Sequence, residues 1–179
     1  MESSWGDLPA AGQMVSTIIV SPQSGQNIAA NTEFNIVLQV SNLEAGSFTN
    51  PDNTYYSAPQ TLKNGRIVGH THVTVQELGG SLKPTQPPNA ETFAFFKGIN
   101  DDEDGNGQLQ AVVSNSLPAG FYRVCTMNSA SNHQPVIMPV AQRGAQDDCV
   151  RFMVGQKQNN GGNKGGKNGG RGRLMSFRT

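Results

Sequence analysis

The chain has 179 residues, enough for one domain with a sizeable core and too few for two full ones. Hydrophobic residues make up 35% while Gly reaches 21 and Pro 10, which points to short strands joined by many turns and away from long helices. The net charge of zero conceals an uneven split. Three Lys and three Arg fall in the last 25 residues with no acid among them, leaving seven basic against thirteen acidic groups in the rest. No run approaches the roughly 18 apolar residues that span a bilayer as a helix. The N-terminal "MESSWGDLPAAGQ" has neither a basic start nor an apolar stretch of the kind a signal peptide needs; a mature form carrying an added Met1 fits it equally.

In chain order, a flexible segment over 1–14 precedes "TIIV" at 17–20, a "SPQSGQN" turn, and "EFNIVLQV" at 33–40. Phe34, Ile36, Leu38 and Val40 alternate with Asn35, Val37 and Gln39, the signature of a half-buried strand. Further strands are expected at 66–77, 92–97, 108–114, 121–127 and 149–154. Seven short strands with turn signals between them and no sustained helical period predict an all-β fold, an antiparallel immunoglobulin-like sandwich over 15–154. The segments 42–64 and 128–148 read as long polar loops. Residues 155–179, "GQKQNNGGNKGGKNGGRGRLMSFRT", hold too few apolar groups to offset the entropy of ordering and read as a disordered tail.

Cys125 and Cys149 lie in two late strands, "YRVCTM" and "DDCVRF". If those strands are neighbours the thiols can pair. The bridge would close a loop of about 25 residues and contribute roughly 3 kcal/mol, as suits a small domain outside the cell. The alternative is two buried free thiols. No histidine or further cysteine beside either one suggests a metal.

The strand at 66–77 contains "GHTHV". Alternation sends Ile67, Thr71, Val73 and Val75 to one face and Val68, His70, His72, Thr74 and Gln76 to the other, so both histidines belong on the outer face. Imidazoles about 6.5–7 Å apart along one face can converge on Zn or Cu, given a third ligand. The third histidine, His133 in "SASNHQPV", completes the candidate set if its loop folds back over that face. The competing reading has the three rings hydrogen-bonded to hold the loop on the sheet.

Asp102, Asp104 and Asn106 match the first, third and fifth positions of a calcium loop, but Val113 stands where a bidentate Glu is needed. A hairpin turn between "TFAFFK" and "QLQAVVS" accounts for the same residues. Nucleophilic catalysis finds little support, since no G-x-S-x-G is present. Asp147 and Asp148 are adjacent on the chain rather than across a cleft, and nothing places Glu77 and Glu91 about a groove. In the tail, Lys164, Lys167, Arg171 and Arg173 can contact a polyanion in a salt-dependent way.

"GRIVGHTHVTVQELGGSLKPTQPP", "ETFAFFKGIND" and "LPAGFYRVCTMNSASNHQPVIMPVAQRGAQDDCVRF" resemble a group of small secreted proteins of filamentous fungi with no assigned activity. The likeness runs over roughly 15–154, with its most specific part from Leu117 to Phe152. "GHTHV" followed by "LPAGFYRV" and a later histidine is similar, more loosely, to immunoglobulin-like extracytoplasmic domains with a GHxH strand. Both resemblances imply an exported β-sandwich and neither implies a reaction or a required cofactor. The expected role is therefore non-enzymatic contact with cell wall polysaccharide, extracellular matrix, a host surface or copies of itself. A His-based Zn or Cu domain is second, and nucleic-acid binding through the tail third.

Overall fold

The computed structural model describes residues 5–56, 58–101 and 105–157. A three-stranded sheet, ordered β1 (Ser16–Ser21), β3 (Phe34–Ser41) and β8 (Gln108–Val113), faces a larger one. The larger sheet runs β2 (Asn27–Ile28), β10 (Cys149–Val154), β9 (Gly120–Ala130), β6 (Arg66–Glu77) and β4 (Leu43–Glu44), and β5 (Leu62–Lys63) and β7 (Phe95–Ile99) also pair with β6. The all-β expectation holds, and most pairings are antiparallel. The exceptions are β2 with β10 and β4 with β6, both parallel and two residues long. The only described α-helix is the single turn α1 (Pro51–Thr54), capped by Asn50, whose side chain accepts from the Asp52 amide at 3.0 Å.

The alternating residues of both sheets meet in one core. Ile36, Leu38 and Val113 from the small sheet and Ile67, Val73, Val75, Val124 and Phe152 from the large one are almost wholly buried. Phe152 packs edge-on against Phe34 across the layers and stacks with Tyr122, whose hydroxyl donates to the Pro118 carbonyl at 3.0 Å. Cys125 and Cys149 are directly opposed in the β9–β10 register and form a disulfide.

Several expected boundaries shift. The strand read at 92–97 begins only at Phe95, with Phe93 left largely exposed, and the one read at 121–127 continues to Ala130. The expected hairpin around Asn106 is not formed: β7 belongs to the sheet of β6 and β8 to that of β3, so the intervening chain crosses between layers. Gly and Asn favour turns, but turn chemistry does not specify which sheet receives the next strand. The segment before β1 carries a 3-10 turn at Ala11–Gln13 and a bridge from Gly6 to Gln60, with the Asp7 amide on the Gln60 carbonyl at 2.8 Å. Asp102, Asp104 and the tail residues Lys164, Lys167, Arg171 and Arg173 lie outside the described residues.

Candidate metal centre

β6 is an interior strand of the large sheet, with β9 along one side and β7 along the other. His70 and His72 project from its face away from the core, as alternation requires. That face is not wet at His70, however, which is completely buried. Two loops cover it. Residues 45–56 bring Phe48 edge-on to the His70 ring, and the segment after β9 brings His133.

The loops are sewn together by backbone bonds. Thr49 donates to the Ser131 carbonyl at 2.8 Å, Tyr56 to that of Asn132 at 3.0 Å, and Ser131 to that of Val68 at 3.2 Å. The Ser47 and Ser131 hydroxyls meet at 2.7 Å, and the buried Gln60 side chain exchanges bonds with both backbone groups of Ile137. His133 occupies a tight turn, its amide donating to the Ala130 carbonyl at 2.9 Å, and has φ 68°.

Gly69 makes the close approach possible. A Cβ there would lie 1.9 Å from the Ser129 carbonyl oxygen on β9. No larger residue fits without parting the strands immediately beside His70.

The three rings converge. His70 Nε2 lies 3.2 Å from His72 Nε2 and 3.0 Å from His133 Nδ1, and all three donor atoms fall within 4.8 Å of one another. The opposite nitrogen of each ring faces a backbone carbonyl: His70 Nδ1 that of Ser47 at 3.1 Å, His72 Nδ1 that of Met127 at 3.3 Å, His133 Nε2 that of Thr49 at 2.7 Å. Carbonyl oxygens only accept, so each of these nitrogens carries the ring proton. In the neutral rings the three converging nitrogens are then bare lone pairs with no hydrogen between them. Such an arrangement is repulsive until a cation enters. Nitrogens held at 2.0–2.1 Å about a tetrahedral ion stand roughly 3.3 Å apart, close to the two spacings that His70 Nε2 makes with His72 and His133. A ring that ligates through one nitrogen and donates through the other to a carbonyl is the usual condition of a metal-bound histidine.

A proton is a poor substitute for that cation. Burial first, and then the neighbouring His72 and His133, hold His70 down at about 4, against a smaller opposing effect of the Ser47 carbonyl. His72 is lowered as well, chiefly by burial.

A pocket of about 490 Å³ opens beside His72 and His133, walled by Tyr55, Tyr56, Phe96, Met127 and Pro135. Asp147 also borders it; burial pushes its carboxyl up, opposed by hydrogen bonds from the Asn128 amide at 2.7 Å and the Thr126 hydroxyl at 3.0 Å. Among the described residues the histidines are the only such group with metal-ligand geometry.

Sequence reasoning missed the carbonyls of Ser47, Thr49 and Met127 and the aromatic wall. One available signal was Gly69, since a glycine inside a strand marks a close backbone approach. Of the calcium set only Asn106 is described, and its carbonyl accepts from the Gln39 side chain.

Fold and cluster together define a disulfide-linked β-sandwich domain with three histidines gathered under two loops. The chain belongs to the CLU5d N-terminal domain family, which it matches over residues 17–155. It is 60% identical over 151 residues to Pathogenicity cluster 5 protein d of the fungus Colletotrichum graminicola, covering 84% of this chain and 32% of that protein. The chain thus spans about a third of the length of that curated relative. Two solved structures are similar at lower levels. The fibronectin(III)-like modules of Clostridium thermocellum CbhA share 13% identity at a TM-score of 0.34, over 77% of this chain and 45% of that one. The PmoD soluble domain from Methylocystis sp. shares 10% at 0.37, over 79% and 89%. The expected kinship with fungal proteins is thereby found, while the immunoglobulin-like character stands on the sandwich layout alone.

Proposed function

We propose that this domain is an exported, non-enzymatic metal-binding module that holds one Zn or Cu ion on His70 Nε2, His72 Nε2 and His133 Nδ1. The observation that carries the reading is the tautomer pattern: three ring N–H groups are committed to the Ser47, Met127 and Thr49 carbonyls, and three lone pairs meet at one point. Imidazole suits both metals, and three protein nitrogens leave a tetrahedral ion one further position. Export is supported by the disulfide, a bond that cytosolic reductants do not let persist. Metal analysis of protein purified without chelator tests the assignment. One equivalent of Zn or Cu is expected, lost in His72→Ala. Protein that neither retains nor takes up either ion at micromolar concentration would sink it.

A second role, contact with cell wall polysaccharide, matrix, a host surface or a second copy, is supported by a ring of exposed aromatic residues. Phe48, Tyr55, Tyr56, Phe93 and Phe96 all stand around the cluster, each at least 45% exposed. Cosedimentation with insoluble wall polysaccharide, with and without Phe93→Ala, tests this. Deleting 155–179 tests polyanion binding, which should then lose its salt dependence if the tail carries it.

A further inference from the structure

The cluster has an inner and an outer side. His70 is completely buried beneath the 45–56 loop, whereas His72 and His133 form part of the pocket wall. An ion bound by all three rings would therefore border the pocket on its His72 and His133 side.

From this we infer that the pocket binds a small, uncharged, planar molecule whose single nitrogen or sulfur donor completes the coordination of the metal. The inference rests on the metal reading above and specifies what that centre is for. Three features of the walls select the ligand. They are flat: Tyr55 stacks on His133 with centroids 5.9 Å apart, Tyr56 stacks on Tyr55 at 4.2 Å, and Phe96 lies over His72 at 5.4 Å. They are largely apolar, with Met127 directly across the strand register from His72 and Pro51 and Pro135 also in the lining. Among the described residues they also contain no Lys or Arg, so an anionic ligand would find no cationic side chain there. The one carboxylate, Asp147, already accepts from Thr126 and from Asn128 and is not directed to a cationic guest. At about 490 Å³ the space lies within the range of small-molecule sites and is large for a bound water alone.

Cobalt(II) is a suitable probe, because its visible spectrum changes with ligand number and donor type. Protein loaded with one Co(II) is titrated with imidazole and, separately, with 4-phenylimidazole, which offers the same donor with an added flat apolar ring. Cobalt content is measured in every sample, so that occupancy and ligand affinity are read separately. The phenyl compound is expected to bind roughly tenfold or more tighter than imidazole. Phe96→Ala and Tyr55→Ala, truncations of exposed rings that leave the core alone, should bring the two affinities together. Equal affinities in the unaltered protein, or a cobalt spectrum unmoved by either compound, would overturn the inference and leave the metal reading intact. Failure to take up cobalt, zinc or copper at all would overturn both.

Discussion

His133 Nε2 donates to the Thr49 carbonyl at 2.7 Å, while the Thr49 amide donates to Ser131, two residues before His133, at 2.8 Å. One residue of the loop preceding β6 thus fixes both the position and the tautomer of a ring on the loop following β9. Thr49 acts on His133 through its backbone, while its hydroxyl donates within its own loop to the Thr54 carbonyl at 3.5 Å.

His133 has φ 68°, a left-handed conformation that Asn tolerates and β-branched residues do not. His133→Asn should remove a ligand with little strain, lowering metal affinity about a hundredfold or more while shifting the metal-free melting temperature only slightly. His133→Val should lose the metal equally and destabilise the metal-free fold by a further ~1–3 kcal/mol. Isothermal titration paired with urea unfolding separates the two effects.

Gly69→Ala places a methyl group 1.9 Å from the Ser129 carbonyl oxygen. Backbone on both sides cannot yield cheaply, so a loss of about 3 kcal/mol is expected, larger than an ordinary surface substitution causes. Urea midpoints measure it. An unchanged midpoint would show that β6 and β9 can separate here without cost.

Stability of the metal-free protein should fall on acidification. Unfolded, His70 titrates near its ordinary 6.5; folded, at about 4. Between those values the unfolded chain takes up a proton that the native state refuses. The contribution is therefore complete above pH 6.5 and lost progressively toward 4, amounting to about 3 kcal/mol. His72, lowered for the same reason, adds in the same direction. Asp147, with its carboxyl raised, acts oppositely, because the native state there holds its proton more tightly and gains as the pH drops. Unfolding with chelator at pH 7.5, 5.5 and 4.5 reads the sum, and a flat profile would contradict it.

Replacing both Cys125 and Cys149 by Ala removes a cross-link of sequence separation 24. A loss of roughly 3 kcal/mol is expected. Intact mass before and after reduction and alkylation establishes that the bond is present in the purified protein.

The sandwich was legible because β3 and β8 alternate cleanly, so side-chain period alone assigns their inner faces. β2, β4 and β5 were not, since a two-residue strand has no period and exists only by virtue of its partner. The same limit applies to the site. Alternation placed His70 and His72 on one face, but whether that face is wet depends on the 45–56 and 131–136 loops. Those loops are held by backbone bonds from Thr49, Tyr56 and Ser131, which no residue type announces, and by the Ser47–Ser131 hydroxyl pair, whose partners are far apart in the chain. His133 was identified by its residue type and by the expected disulfide behind it. Its tautomer depends on a carbonyl 84 residues away along the chain.

His133 lies inside the segment closed by the Cys125–Cys149 bond, while its partner His70 lies 63 residues earlier and outside it. A metal joining them would be a second cross-link whose span overlaps the first, each loop containing one end of the other. Overlapping closures restrict an unfolded chain differently from separate ones, because neither ring can be expanded without drawing on the other. With ion and disulfide both present, the unfolded molecule would be a small interlinked network rather than a chain with one loop. Chelation alone would open it, with no covalent bond broken.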